Sequence, residues 1–242
     1  MLKHAAAWGL AAACLVAGGG AASAQTRPDL EYQPIAPCRA FDTRATAAVG
    51  AGQTRSFHIS GSTDFPGQGG PAHGCGVPAY ATAVSLTLIS LSQAAAGYLT
   101  AFAYNSARPS AVSLYYQRNV TLANTVIASI NQGAVSIFSS QQSHVAADVT
   151  GYYAPGIEGY VNGSGALISG TRVVSAAKSQ TGFYTVTADR DLASCTVSAQ
   201  PDNSSFSMGA IIGSNIANFS SRNITASGAP YGDTAFYFRI NC

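Results

Sequence analysis

The constellation nearest to reactive chemistry is Asp42-Thr43-Arg44, a carboxylate and a guanidinium two residues apart. On an extended segment the two side chains share a face and could frame a polar ligand. The same pair can instead serve structure, with Asp42 accepting backbone N–H groups and the forked donors of Arg44 tying a loop. The structural role is the expected one, because turns and salt bridges are the usual fate of such pairs. Asp148 interrupts an apolar run, and a carboxylate there must find donors. Arg44, Arg55 and Arg108 are its candidate partners, and such a pairing shifts a pKa without making the group catalytic.

Other reactive groups are scattered. His58, His73 and His144 are neither four apart on a helix nor part of a Cys/His tract, so no metal site is expected. Asp189 and Asp191 alternate onto one face, yet no glycine-centred acidic loop surrounds them, and a turn role is expected rather than calcium. No Gly-x-Ser-x-Gly elbow occurs. The two glutamates, Glu31 and Glu158, both flank the segments expected as linkers, and nothing sets a carboxylate pair at a spacing suited to glycoside cleavage. No cofactor is implied, and a secreted hydrolase survives only as an alternative class that needs convergent Asp or His side chains. Tyr98, Tyr104, Tyr115, Tyr116, Tyr152 and Tyr153 are the candidate binding residues, since tyrosines can form an aromatic platform for glycans or other polymers. Adjacent tyrosines in a strand face opposite sides, so one of each pair 115/116 and 152/153 faces away from the core.

The elements that position these groups are strands. Val84–Ile89, Tyr98–Tyr104, Ala111–Tyr116, Thr125–Ile130, Ala134–Ser139 and His144–Tyr153 are β-branched, aromatic and partly alternating. Asn105, Pro109, Asn119, Asn131 and Gly133 punctuate them. A break falls at Ala154-Pro155-Gly156, and a second strand series runs from Gly170 to Cys242. No window shows a capped 3.6-residue stripe. The expected fold is all-β, two β-sandwich domains after a cleaved leader. Residues 1–24 read as the signal peptide, 25–155 as the N-terminal module, 156–169 as a linker and 170–242 as the C-terminal domain.

The leader assignment rests on Lys3 and His4, the apolar run Ala5–Ala17, the Gly18-Gly19-Gly20 break and Ala22-Ser23-Ala24 before the expected cleavage. The run is too short to span a bilayer, and no later segment is long and apolar enough. Cleavage removes Cys14 and the single tryptophan, Trp8, leaving Cys38, Cys75, Cys195 and Cys242. Four cysteines in an exported chain read as two disulfides with three permitted pairings. Cys38–Cys75 and Cys195–Cys242 are preferred because each pair then lies within one domain. Charged residues are 9% of the chain and the formal net charge is +2, which argues against a nucleic-acid partner. Loss of Trp weakens the carbohydrate reading.

Residues 34–155 resemble a β-module found singly or in repeats in secreted and surface bacterial proteins. The carrying motifs are Pro37-Cys38-Arg39-Ala40-Phe41-Asp42-Thr43-Arg44, Cys75-Gly76-Val77-Pro78, Ala83–Leu88, Gly97-Tyr98-Leu99-Thr100, Ala107-Arg108-Pro109 and Ala147–Tyr153. The resemblance implies that Cys38 and Cys75 occur together, which supports their pairing. This copy departs from the pattern in a Gly/Pro-rich insert, Thr63 to Gly74, to which the sequence assigns no role. From about Gly170 the chain resembles a C-terminal β-domain of bacterial and phage-associated surface proteins, through Gly182–Val186, Asp189–Leu192, Cys195 and Ala235–Cys242. Neither resemblance implies an activity. The expected function is therefore that of a secreted or cell-surface structural or interaction protein without catalysis, which assembles with itself or other surface components. The alternative is a carbohydrate- or polymer-binding module using the tyrosines.

Overall fold

The computed structural model describes residues 30–242; the expected signal peptide lies outside the described residues. The first unit contains β1 (Leu30–Asp42), β2 (Gln53–His58), β3 (Ala83–Leu91), β4 (Gly97–Ala103), β5 (Leu114–Tyr116), β6 (Leu122–Ser129), β7 (Ala134–Ser139) and β8 (His144–Pro155). They pair as one long folded ribbon: β1 with β8, β2 with β7, β3 with β6 and β4 with β5, all antiparallel. Rolling that ribbon gives two facing sheets, β1-β8-β3-β6 and β2-β7-β4-β5. This is the two-sheet jelly-roll form of an antiparallel sandwich.

The period-two pattern decides which side chains meet between the sheets. In β3, Val84, Leu86 and Leu88 are fully buried, and they pack with Phe41, Phe57, Leu99, Ile137, Val145 and Val149. Cys38 bonds to Cys75. The Thr63–Gly74 insert is part of this core. A 3-10 turn at Pro66–Gln68 follows Phe65, which has 0% exposure, and Gln68 is buried beside it. Gln68 accepts the His58 N–H at 2.9 Å and donates to the carbonyls of Ala40 (2.9 Å) and His58 (2.7 Å). The insert thus closes the open end of the sandwich between β1 and β2. Glycine is needed there, since a Cβ on Gly70 would collide with the Ala40 carbonyl.

The second unit contains β9 (Ile157–Val161), β10 (Leu167–Thr171), β11 (Val173–Gln180), β12 (Phe183–Ala188), β13 (Thr196–Pro201), β14 (Phe206–Ile212), β15 (Ile216–Asn223) and β16 (Phe236–Asn241). Its sheets run β10-β9-β16-β13 and β11-β12-β15-β14. Between them lie Ile157, Val161, Tyr184, Val186, Phe219, Phe236, Phe238 and Ile240. Cys195 bonds to Cys242, tying the start of β13 to the end of β16.

The stretch 156–169 is not a linker. It carries β9, which pairs with the C-terminal strand β16, and the start of β10. Its glycines have packing and turn roles instead. A Cβ on Gly159 would meet the Phe238 ring at 2.9 Å, and Gly165 turns at φ +86° where Asn162 Oδ1 accepts the N–H groups of Ser164 and Ala166. Only Gly156 separates β8 from β9. The junction is bridged by Arg172, which takes φ +59° between β10 and β11. Its guanidinium holds Asp189 at 2.9 and 3.1 Å, donates to the Pro155 carbonyl at 3.2 Å and lies 3.8 Å over the Tyr80 ring of the first unit. A residue in that unfavourable region signals that its side chain is held from several sides.

Candidate binding groove

The polar residues singled out from sequence are held by neighbours in the fold. Asp42 does not sit in an extended pair with Arg44; it caps a 3-10 turn at Thr43–Ala45. Its carboxylate accepts the Arg44 N–H at 3.0 Å and the Arg44 guanidinium at 2.6 Å, and also receives Arg39 at 2.9 Å. Asp148 pairs with none of the three arginines expected for it. Its partner is Arg39, which the β1–β8 register sets directly opposite. Asp148 is also only half-buried, because alternation turns Ala147 and Val149 inward and Asp148 outward. Arg55 instead donates to the Ala47 carbonyl, and Arg108 lies 3.7 Å over the Phe138 ring.

The guanidinium hydrogen bond from Arg44, with its backbone N–H and the charge of Arg39 behind it, lowers the Asp42 pKa from 3.8 to about 2. A depressed folded pKa means stability that is full above the unfolded value and is lost as pH falls through the folded one. Asp42 is therefore expected to contribute on the order of 1 kcal/mol above about pH 5, after allowance for the solvent around Arg44, and to lose that contribution progressively down to about pH 1. Asp42→Asn should flatten that part of the acid-unfolding curve; an unchanged curve between pH 4 and 2 would refute the assignment.

The six expected tyrosines do not form one platform. Tyr116 and Tyr152 are buried, and the Tyr116 hydroxyl is satisfied by Ser139 and Gln141. Tyr98 and Tyr115 meet on the outer face of one sheet, with ring centroids 6.3 Å apart, beside Phe138. Tyr153 packs against Tyr32 on the opposite sheet, 5.1 Å away, and Tyr104 stands by the turn after β4. Three histidines are similarly dispersed: His144 Nδ1 contacts Thr43 Oγ1 at 3.2 Å, His58 faces Asp64 at 3.7 Å, and His73 lies in the insert. Asp191 accepts the Ala193 N–H in a turn, while Asp189 belongs to Arg172. Among the described residues no three His, Cys, Asp or Glu side chains gather in a metal-binding group.

An open groove lies elsewhere, on the outer face of β10-β9-β16-β13. Strict alternation in β16 sends Phe236, Phe238 and Ile240 into the core and Tyr237, Arg239 and Asn241 outward. The registers then align two outward rows across the four strands. One row runs Gln200, Tyr237, Tyr160, Ser169; the other runs Ser198, Arg239, Glu158, Thr171. Between them, the intervening row of Ala199, Phe238, Gly159 and Gly170 forms the floor of a groove of about 790 Å³. The Tyr160 and Tyr237 rings pack with centroids 4.4 Å apart and a tilt of 31°, and the Tyr160 hydroxyl donates to Asp202 at 3.1 Å. Arg239 is charge-balanced by Glu158 at 3.9 Å and by Glu31 of β1 at 3.7 Å, so the first unit borders this wall.

None of these wall residues was singled out as a site in the sequence. The alternation of Phe236–Asn241 was the available signal, for it places Tyr237 and Arg239 on one face; their partners on β13, β9 and β10 are set by registers that no local pattern encodes. No protein-family model matches the chain, and no curated protein matches it.

Proposed function

We propose that this chain is an exported structural or interaction protein that works by binding surface or extracellular components rather than by catalysis. The observation that carries the reading is the groove on the second sandwich, whose walls combine the exposed Tyr237 ring, packed on the half-buried Tyr160, with hydrogen-bonding side chains. A binding surface of this make-up offers apolar area and polar specificity together. The carboxylates nearest to it are engaged: Glu31 and Glu158 face Arg239, and Asp202 accepts from Tyr160. Two disulfides and the leader-like N-terminus support an oxidising destination. Among the described residues no helix is long and apolar enough to cross a membrane, which fits release or surface attachment through contacts.

The test combines light scattering after size exclusion with pull-down on cell-envelope and extracellular-matrix material, using the disulfide-intact protein. Retention on one such fraction, or concentration-dependent assembly, is the expected result. A strict monomer retained by nothing would overturn the proposal.

A further inference from the structure

We propose that the groove on the second sandwich binds a single chain of neutral polysaccharide laid across strands β13, β16, β9 and β10. The proposal rests on the interaction reading above and names the ligand of that site.

The dimensions come first. Four neighbouring strands put the outer two roughly 14 Å apart, and rows two residues apart along a strand are separated by about 7 Å. A trough of that width accepts one extended polymer. It also runs perpendicular to the strands, so its occupant cannot add to the sheet by backbone pairing, which is the usual way a sheet captures an extended peptide.

The chemistry of the walls narrows the class. Tyr237 is 56% exposed and its ring packs against that of Tyr160 at 4.4 Å with a tilt of 31°, so an aromatic face is held in place at the centre of one wall. A pyranose ring has an apolar C–H face that lies on such a surface and a rim of hydroxyls that both donate and accept. Gln200 and Ser169 flank the aromatic pair, while Ser198 and Thr171 end the opposite wall. These neutral amide and hydroxyl groups match hydroxyl partners in either direction. Charge selects among polysaccharides. Among the described residues that line the groove the one cation is Arg239, which faces Glu158 and Glu31, and Asp202 lies behind Tyr160. The surroundings are balanced to slightly negative, which opposes an anionic polymer and is indifferent to a neutral one.

Affinity electrophoresis of the full, disulfide-bonded protein through gels containing neutral glucans, xylans or mannans, against polygalacturonate, tests this. Retardation by at least one neutral polymer and not by the anionic one is expected. Tyr237→Ala should weaken the binding about tenfold or more, as loss of a central aromatic anchor does, and Gln200→Ala severalfold. Both side chains point outward, so the thermal transition of either variant should match the parent, separating lost contact from lost fold. No retardation by any neutral polymer, retardation unaffected by Tyr237→Ala, or binding confined to the anionic polymer or to extended peptides would each overturn the proposal. Retention on envelope material that ignores Tyr237→Ala would do so too while leaving the interaction reading in place. Release of reducing sugar from a bound polymer would instead overturn the non-catalytic reading and uphold the ligand class.

Discussion

Phe65→Ala is expected to lower the stability of the first sandwich by about 3–5 kcal/mol, the cost of removing a fully buried aromatic ring. Phe65 belongs to the main core although it comes from a stretch rich in glycine and proline. Its loss would do more than open a cavity. The ring anchors the insert whose Gln68 bonds the backbone of Ala40 and His58. If the insert lifts away, the His58 N–H and two carbonyls must find water at the open end of the sandwich, and each unsatisfied buried group costs about 1–3 kcal/mol. Gln68→Ala alone should therefore destabilise the same unit substantially, with Phe65 still seated. Denaturant titration followed by near-ultraviolet tyrosine dichroism would read the effect. A change below about 1 kcal/mol for both variants would mean that the insert merely covers the core and does not complete it.

The second large effect is expected from replacing Cys195 and Cys242 together by serine. The bridge closes a separation of 47 residues, for which the chain-entropy account gives about 4 kcal/mol. Cys38–Cys75 spans 37 residues and is worth nearly as much by the same reasoning. The consequences should differ, however, because the second unit has the smaller core and uses its bridge to hold an edge strand. β13 is paired only on its β16 side within its sheet, so freeing its start at Cys195 exposes it to fraying. Ser198 and Gln200 would then leave the groove walls. Calorimetry should show the second unit unfolding well before the first in this double variant, and polymer binding should fall with it. Coincident unfolding of both units at the parent temperature would rule this out.

Much of the architecture is local information. The alternation of Ala83–Leu91 and Phe236–Asn241 states which side chains face inward, because a strand's side-chain period is two whatever lies beside it. Export-like features and four remaining cysteines made two bridges the natural expectation, and turn residues separated the strands of the first unit. Glycine misled at 156–169. Gly159 is small because the Phe238 ring covers it, and Gly165 because a hairpin turns there; a composition-based reading sees only flexibility in both.

What only the tertiary structure decided is everything that depends on register between distant strands. Asp148 finds Arg39, 109 residues away, because β1 lies antiparallel on β8 with those two residues opposite. Tyr160 meets Tyr237 through the pairing of β9 with the last strand, and the groove exists only where three such registers align. Periodicity along one strand determines the face on which a side chain stands. Which distant side chain stands next to it depends on long-range pairing, and that is selected by the burial of the whole core rather than by any local run of residues.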